Sequence, residues 1–396
     1  MAITIGTRSS FEDRASVKDN IDDRLDFLTP RDLPFLNYIG YASDAAGATK
    51  GANSLKFPCV QERHTWLNDD LAPATATLNA AYTAAGGTLT LVAGQTERFQ
   101  DDDVIYIGNS VFLVTATTHG SETLTVTELH NSASHVNGAI VHLMGNARTE
   151  GVAASDIESR TTDFGSTENY TQIYEAVVRL TGTETSTERW GIAGDPFDYQ
   201  MNKRLEELGI QLEKNAIYGR RNTSYPSTNS TARRMGGLSE FIRNGTDTNV
   251  LDAAGADLDE PMLNDLLEDI WEDGGKPDVI MVNMRQKRMM DSFLNPYVRV
   301  ARDEGMAGIL VGAYDSNVGT LDVVLNRWML PGDLIILTRE FIGIGPLEGN
   351  GNNRAFFTFD LPVDGDYKRA MIVGEYTMEV RNATKAHGWY HSLSTA

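Results

Sequence analysis

The clearest hydrophobic pattern in the chain lies between Gly194 and Gly219, and it predicts one long α-helix. Asp195 can accept hydrogen bonds from the first free amides, and Pro196 suits the first helical position because its missing N–H costs nothing there. A helix over residues 195–218 would be about 35 Å long. Its apolar face is formed by Phe197, Met201, Leu205, Leu208 and Leu212, which recur every three or four residues. We expect this face to be buried, so an Asp at Leu205 or Leu208 should prevent folding.

Between residues 86 and 145 the pattern changes to short β-type runs that are separated by Gly, Asn and Asp turns. The runs include DVIYIG, SVFLVTATT and ETLTVTEL, and no helical pattern interrupts them. Their regular spacing predicts a small antiparallel barrel or sandwich. We therefore expect a compact β domain over residues 81–147, inserted between two parts of a larger fold.

The part of the chain after the long helix mixes helical and strand patterns, which predicts an α/β-type domain of about 130 residues. VIMV at 279–282 is a continuous apolar run typical of a buried strand. The other elements that we predict are an amphipathic helix through Leu263, Leu266, Leu267, Ile270 and Trp271, a short helix over 285–293, and strands at 321–325 and 334–337.

Two further patterns flank the long helix. The alternation in TGTETSTERW at 181–190 predicts an exposed strand or ribbon. Near the C-terminus, FFTFDL and RAMIVGEYTMEVRN predict long strands that return to pack near the helix.

Residues 1–50 form a polar segment with a cluster of apolar side chains around Pro30 and Pro34, which break any long helix. One interpretation is an arm whose apolar anchors dock onto another chain. The alternative is a terminus that is pinned to its own core. The anchors that we predict for the arm and the following loop are Phe27, Phe35, Leu36, Tyr38 and Trp66.

The chain of 396 residues has 34 basic and 55 acidic residues, a formal charge of −21. Phosphate affinity depends on Lys and Arg, so this balance argues against a general nucleic-acid binder. The lone Cys59 excludes an intrachain disulfide and a cysteine-based zinc site. We find no signal peptide and no apolar run of membrane-spanning length, so we expect no membrane partner.

The densest basic cluster consists of Arg220, Arg221, Arg233 and Arg234. It could face a polyanion. The alternative is that these side chains pair with carboxylates at a helix end or between subunits.

Patterns that carry chemistry are weak throughout the sequence. His387 and His391 have the spacing of a helical metal site, but a strand precedes them. Asp101, Asp102 and Asp103 fit a turn better than a cation site. We find no phosphate-binding loop, nucleophile elbow or HExxH motif. We therefore predict no catalytic, cofactor-binding or metal-binding residue, and a structural or assembly role.

Several stretches in a characteristic order give the chain a resemblance to a known family. They are NYTQIYEAVVRLTGTE at 169–184, YQMNKRLEELGIQLEKNAIYG at 199–219, RRMGGLSEFI at 233–242, LNDLLEDIWEDGGKPDVIMVNMRQKRMMDSF at 263–293 and GEYTMEVRN at 374–382. The chain resembles the major capsid protein of a tailed bacteriophage, of the Hong Kong 97 type, in the group with a β insert. The fold class that this implies is α+β.

The resemblance also implies a division of the chain into domains. The expected parts are an N-terminal arm (1–50), an extended loop (51–80 and 148–183), the inserted β domain (81–147), a peripheral domain with the spine helix (184–222 and 355–396) and an axial domain (223–354).

The function that the resemblance implies is assembly. Hexamers and pentamers of the chain would form an icosahedral phage head around double-stranded DNA, built in the host cytoplasm and ending as the virion capsid. The implied partners are copies of the chain itself, a scaffolding protein, a portal protein and a decoration protein, with only weak contact to packaged DNA. The arm starts almost at Met1, so we expect scaffolding to be a separate protein. Since the Lys and Asn that cross-link some relatives have no match, we expect non-covalent stabilisation.

Two other functions stay open at this point. An encapsulin-type nanocompartment shell would share the fold, and the β insert favours a phage over it. A cytosolic hydrolase would need a pocket with converging carboxylates or histidines, and the sequence provides no such set.

Overall fold

The computed structural model describes residues 30–39, 59–69, 71, 74–131, 133–148, 150–151, 164–187, 194–222, 232–243, 249–294, 311–362 and 364–395. The chain divides into two compact units. The small unit comprises residues 67–166, and the large unit comprises residues 1–66 and 167–396.

The helices are α1 (Pro34–Tyr38), α2 (Gly182–Ser186), α3 (Pro196–Tyr218), α4 (Leu238–Phe241), α5 (Glu260–Glu272) and α6 (Met284–Leu294), with short 3₁₀ turns at Thr96–Arg98, His119–Ser121 and Arg339–Phe341. The strands are β1 (Arg63–Asn68), β2 (Thr75–Thr77), β3 (Thr88–Thr90), β4 (Asp103–Ile107), β5 (Ser110–Thr118), β6 (Thr123–His130), β7 (Ile140–Asn146), β8 (Gly165–Tyr170), β9 (Gln172–Thr181), β10 (Val250–Asp252), β11 (Val279–Val282), β12 (Val311–Ser316), β13 (Gly319–Leu325), β14 (Leu334–Leu337), β15 (Ile342–Pro346), β16 (Glu348–Gly349), β17 (Asn352–Asn353), β18 (Phe357–Asp360), β19 (Tyr367–Val380) and β20 (Gly388–His391).

The small unit contains a six-stranded antiparallel sheet in the order β2-β7-β4-β5-β6-β3. Its two edge strands meet, because Leu78 and Leu91 form an antiparallel bridge and Asn79 N donates to the Thr90 carbonyl oxygen at 2.9 Å. The sheet therefore closes around an apolar core that includes Phe99, Ile105 and Phe112. Strand β2 lies before residue 81, so the sheet includes part of the segment that the sequence assigned to the extended loop.

The large unit contains a six-stranded mixed sheet in the order β10-β20-β14-β11-β13-β12. VIMV forms β11, as predicted, and its side chains alternate between the two sides of the sheet. Val279 and Met281 belong to the core cluster that includes α3, whereas Ile280 and Val282 belong to the cluster that includes α5. Apolar residues on both faces explain why this strand reads as a continuous hydrophobic run.

A second sheet of the large unit is built on the long strand β19, which pairs with β9 along one edge and with β18 and β15 along the other. Helix α3 packs against β9 and β19. Strands β1 and β8 pair as a two-stranded ribbon where the chain passes from one unit to the other.

At two places the strand pairing crosses the domain boundaries that the sequence predicted. Strand β20 inserts between β10 and β14 of the mixed sheet, although the sequence assigned 355–396 to the peripheral domain and 223–354 to the axial domain. It belongs there because Trp389 is buried in one core cluster and Tyr390 in the other. Conversely, β15 at 342–346 belongs to the predicted axial segment, but it pairs with β19 of the predicted peripheral segment.

Helix α3 begins and ends as its sequence predicts. The Asp195 carboxylate accepts a hydrogen bond from Phe197 N at 2.8 Å, and the helix stops at Gly219. The chain then returns through Gly237, whose N–H donates to the Gly219 carbonyl oxygen at 2.9 Å. A Cβ at Gly237 would overlap the carbonyl oxygens of the last helical turn, so this close approach needs a glycine.

The predicted apolar face of α3 is buried at Phe197, Leu208 and Leu212, and Met201 is half-buried. Leu205 corrects the prediction, because its side chain is 40% exposed. Two separate clusters bury the two ends of the helix, Phe197 with Val178 and Ala370 at one end, and Leu208 with the main core at the other. Leu205 lies between them.

The Thr-rich segment after β9 also differs from its prediction. Residues 182–186 form the short helix α2 instead of a strand. The Thr181 hydroxyl caps it by accepting a hydrogen bond from Glu184 N at 3.3 Å, and Thr185 Oγ1 donates to the Gly182 carbonyl oxygen at 2.9 Å. Such local side-chain contacts compete with strand pairing in Ser- and Thr-rich sequences.

Candidate assembly surfaces

The arm anchors that the structure describes are buried in the chain's own core. Phe35 and Leu36 have no exposed surface, and Tyr38 Oη donates to Asp322 Oδ2 at 2.8 Å. These three residues correct the prediction of anchors that dock onto a neighbour, because helix α1 covers the main core of its own large unit. Phe27 lies outside the described residues.

A buried carboxylate on α3 holds this helix. Glu213 Oε1 accepts from Phe35 N at 2.8 Å, and Glu213 Oε2 accepts from Leu36 N at 2.9 Å. These amides lie in the first turn of α1, where no intrahelical acceptor is available, so Glu213 caps α1 from another element. Asn326 Nδ2 donates a third hydrogen bond to Oε1 at 2.7 Å. Burial raises the pKa of Glu213 to about 7, and the three donated hydrogen bonds oppose that rise.

Two further contacts fix the segment before α1. Trp328 Nε1 donates to the Asp32 carbonyl oxygen at 2.9 Å. Arg31 Nη1 pairs with Glu206 Oε1 at 3.0 Å, at the surface. The described part of the arm is therefore bound along α3 by one buried carboxylate and by contacts at its margin.

Trp66, the predicted loop anchor, is also buried within the large unit. Its ring meets the edge of Phe241 at a centroid distance of 5.4 Å, and His64 stacks on it at 5.8 Å. The aromatic side chain fixes the beginning of the ribbon onto α4 and is not available to a neighbouring chain.

The four arginines of the basic cluster divide into two pairs. Arg233 is bound by the chain's own carboxylates, with Nη2 at 2.7 Å from Glu375 Oε1 and Nη1 at 2.9 Å from Glu62 Oε2. Arg221 Nη1 donates to the Glu168 carbonyl oxygen at 2.7 Å. Arg220 and Arg234 are exposed. Two of the four side chains that we predicted to face a polyanion are therefore engaged inside the fold.

Glu375 is the centre of a second buried polar group. Besides Arg233, it accepts hydrogen bonds from Thr171 Oγ1 at 2.7 Å and from Arg354 Nε at 2.9 Å. Asn169 lies nearby along the chain and is fully satisfied, because its amide donates to the carbonyl oxygens of Gly236 and Met378 and accepts from two backbone amides. Sequence reasoning missed both residues.

An exposed apolar face lies on the β9-β19-β18 sheet, and sequence reasoning missed it. The strand register places Phe359, Met371 and Val177 in one row, and it places Phe357, the buried Val373 and the exposed Glu175 in the next. Phe359 is 41% exposed and Val177 is 54% exposed. The rings of Phe357 and Phe359 stack at 6.0 Å. The alternation in FTFD was the available signal, since Thr358 and Asp360, which alternate with the two phenylalanines, are polar.

Arginines line one side of this aromatic face. The guanidinium of Arg179 lies 3.6 Å from the centre of the Tyr367 ring, and Arg369 lies opposite Arg179 in the register. The guanidinium of Arg354 lies 5.8 Å from the centre of the Phe357 ring. The face therefore has Arg179 and Arg369 along one margin, whereas Arg354 is bound to Glu375 and the exposed Glu175 lies in the row of Phe357.

The small unit exposes its own apolar side chains. Leu67, Leu71 and Phe164 flank the sheet in sequence and are all largely exposed. Large exposed apolar side chains of this kind are candidates for contact with another chain.

The two histidines with the spacing of a metal site, His387 and His391, have different surroundings. His387 is buried, and its Nδ1 accepts from Thr338 N at 3.1 Å. Burial lowers its pKa to about 4. His391 Nδ1 lies 2.9 Å from Ser392 Oγ. Within the described parts of the chain, no group of three or more His, Cys, Asp or Glu side chains is placed to hold a metal ion. None of the described helices is long and apolar enough to cross a membrane.

Comparison with known proteins adds an independent observation. A chain of Microbacterium phage Oxtober96 is similar to this one at 11% identity, with a TM-score of 0.49 over 97% of this chain and 98% of that chain. A chain of Mycobacterium phage Bobi is similar at 11% identity, with a TM-score of 0.45 over 99% and 100% of the two chains. The holo-SrpI encapsulin complex from Synechococcus elongatus PCC 7942 is similar at 10% identity, with a TM-score of 0.41 over 59% of this chain and 78% of that chain.

No curated protein matches the sequence. The family model of the SU10 major capsid protein matches residues 3–394, which is nearly the whole chain. This match confirms the resemblance to a phage major capsid protein, and the α+β class agrees with it. It also makes the encapsulin alternative the weaker one. The chain therefore belongs to the SU10 major capsid protein family, as a structural subunit of a phage capsid and not as an enzyme.

Proposed function

We propose that this capsid protein assembles as hexamers and pentamers into an icosahedral head that encloses double-stranded DNA. The observation that carries the proposal is the family match over residues 3–394, since it leaves no large segment for a different activity. The exposed apolar surfaces support it, because a shell subunit needs large contact areas more than a reactive pocket.

The domain roles belong to the same proposal. We assign the arm to 1–50, the extended loop to 51–80 and 148–183, and the β insert to 81–147. The peripheral domain comprises 184–222 and 355–396, and the axial domain comprises 223–354. The exchange of β15 and β20 between the two sheets would make the peripheral and axial domains a single mechanical body, because each sheet contains a strand from the other segment.

We assign the main contact between copies to the aromatic face of the β9-β19-β18 sheet. Its occupant is the small unit of a neighbouring copy, which carries Leu67, Leu71 and Phe164 as exposed apolar residues. Charge supports this pairing, because residues 67–166 include 12 acidic and 3 basic residues, whereas Arg179 and Arg369 line one margin of the aromatic face. Opposite charges at the margin would orient the two surfaces and the apolar centre would exclude water.

A scaffolding protein, a portal protein and a decoration protein are the further partners of this proposal. Contact with packaged DNA would be weak. The charge of −21 supports that expectation, and so do the intrachain partners of Arg221 and Arg233.

Electron microscopy of the expressed protein, alone and with any co-encoded scaffolding protein, tests the function. Closed shells, or rings of five and six subunits, are expected. Uniform small particles in every salt and pH condition would contradict the proposal.

A matched pair of variants tests the assigned contact. Phe359→Ser should keep the thermal transition of the subunit and abolish shells, because it removes one of the two stacked, exposed rings of the face. Leu330→Ser, at a 54% exposed position of the large unit between β13 and β14, is the control and should assemble normally. Normal shells from Phe359→Ser would refute the contact and leave the function standing.

A further inference from the structure

A groove beside α5 is not used by the contact assigned above. It lies between α5 and the turn that joins β12 to β13, has a volume of about 380 Å³, and is lined by Asn264, Leu267, Glu268, Trp271, Asn317 and Val318. Trp271 is 62% exposed, although the neighbouring Leu267 and Ile270 are buried. A tryptophan on the rim of a groove is the side chain most often found at the energetic centre of a protein interface.

The charge around the groove restricts what can bind there. Residues 257–273 contain eight acidic residues and no basic residue. Burial raises the pKa of Asp269, and the carboxylates of Glu272 and Asp265 raise it further. The carboxylates of α5 are therefore close enough to repel one another. A partner must bring positive charge together with an apolar side chain.

Helix α6 of the same fold has this chemistry. It contains three basic residues and one acidic residue. Met284 is 65% exposed and Arg288 is exposed, and their spacing of four places them on one face of the helix. The other two cations have intrachain partners, with Lys287 Nζ at 2.5 Å from Asp291 Oδ1 and Arg285 Nη2 at 3.5 Å from Asp257 Oδ1.

The two helices offer complementary pairs of side chains. Glu268 and Trp271 are three residues apart on α5, and Met284 and Arg288 are four apart on α6, so each helix presents one apolar and one charged group within one turn. A thioether packs favourably against an indole ring, and a guanidinium binds a carboxylate. Since α5 and α6 are different surfaces of one chain, their pairing between copies is heterologous, and repetition of such a contact generates a ring when the rotation closes.

We propose that the α5 groove of one subunit receives the Met284–Arg288 face of α6 from a second copy, and that this contact joins neighbouring subunits within a ring. The inference rests on the proposed function, because it needs a ring-forming assembly. It adds a named contact that is separate from the aromatic face of the β9-β19-β18 sheet.

Charge reversal across the contact tests the inference. Glu268→Arg and Arg288→Glu should each lower the fraction of subunits in rings or shells about tenfold, measured by native mass spectrometry and electron microscopy. The double variant Glu268→Arg/Arg288→Glu should restore assembly to within about threefold of wild type. Trp271→Ser should lower assembly at least as much as the single reversals. Leu330→Ser, at another exposed apolar position, is the control and should assemble normally.

Three other outcomes would contradict the inference or the proposed function. Normal assembly of the single reversals would overturn the inference, while the shells themselves would uphold the proposed function. Loss in the single variants without rescue in the double variant would also overturn it, because the occupant would then be a different basic partner, such as a scaffolding protein. Failure of the wild-type protein to form rings or shells would contradict the proposed function first and the inference with it. Thermal transitions equal to wild type in all variants exclude misfolding as the cause.

Discussion

The small unit and the α3 region of the large unit both have tightly packed cores, but polar groups enter these cores in different ways. In the small unit the polar contacts join residues of one continuous segment: Asp103 Oδ2 accepts from Gln100 N at 2.8 Å, and Tyr82 Oη donates to Glu128 Oε1 at 2.8 Å. Around α3 they span most of the chain, because Glu213 accepts from Phe35 and from Asn326. A local contact can form early and alone, whereas a contact of high sequence separation forms only after the fold brings its parts together.

This difference shows what each region contributes to a shell subunit. The sheet of the small unit is complete in itself, since its edges meet and all six of its strands come from residues 67–166. The α3 region instead joins the arm, the long helix and the mixed sheet through one carboxylate. A destabilising substitution in the small unit should therefore affect that unit alone, whereas one around α3 should affect the several elements that meet there.

The largest effect is expected from a charge on the buried side of α3. Leu208→Asp should destabilise the protein by about 4 kcal/mol or more, because it buries an unpaired carboxylate in the main core. Leu205→Asp, three residues earlier on the same helix, should cost less than about 1 kcal/mol because Leu205 is partly exposed. Urea denaturation of the two variants measures the difference. Equal destabilisation would mean that Leu205 is buried in solution, as the sequence pattern alone suggests.

A cavity in the small unit should have a smaller and more local effect. Phe112→Ala removes a buried ring that meets Tyr82 edge-on at 5.3 Å, and it should cost about 3–4 kcal/mol. Tyr106→Ala, on the exposed side of the same sheet, should cost less than about 1 kcal/mol. Hydrogen exchange should show lost protection within residues 67–166 and unchanged protection of the α3 amides. Loss of protection in α3 would contradict the separation of the two units.

The same contrast explains which parts of the fold could be predicted. Helix α3 and strand β11 match their predicted positions because capping residues and apolar periodicity act within a few residues. Leu205 was mispredicted because a periodic pattern assumes one continuous partner surface, whereas α3 has two clusters at its ends. Strand β20 could not be assigned to the mixed sheet, since its parallel partner β10 and its antiparallel partner β14 are distant in sequence.

The assembly surfaces were predictable only in part. Phe35, Leu36, Tyr38 and Trp66 were identified as anchors from their apolar character, but the sequence could not distinguish a neighbour from the chain's own core. Glu213 gave no signal, because a glutamate in a helix reads as solvated surface unless its partners are known. The aromatic face on β18 had a signal in its alternation, but alternation does not show which side of the β18-β19 pair stays uncovered.

The smallest predicted effect is a pH dependence that belongs to the α3 region and not to the small unit. The folded pKa of Glu213 is raised to about 7 from 4.5, so between these values the native state binds more protons than the unfolded state. The contribution of Glu213 to stability is therefore complete below about pH 4.5 and is lost as pH rises to about 7. From pH 5 to pH 7.5 this amounts to about 2–3 kcal/mol.

The variant Glu213→Gln isolates the contribution of Glu213 ionisation to stability, because glutamine stays neutral and keeps the shape of the side chain. The free energy of unfolding of wild type, minus that of the variant, should fall by about 2–3 kcal/mol between pH 5 and pH 7.5 and then level off. All other titrating groups are common to both proteins and cancel in the difference. A difference that is independent of pH would mean that the carboxylate stays charged throughout this range. The three donors would then outweigh the cost of burial, and the attachment of α1 would not depend on pH.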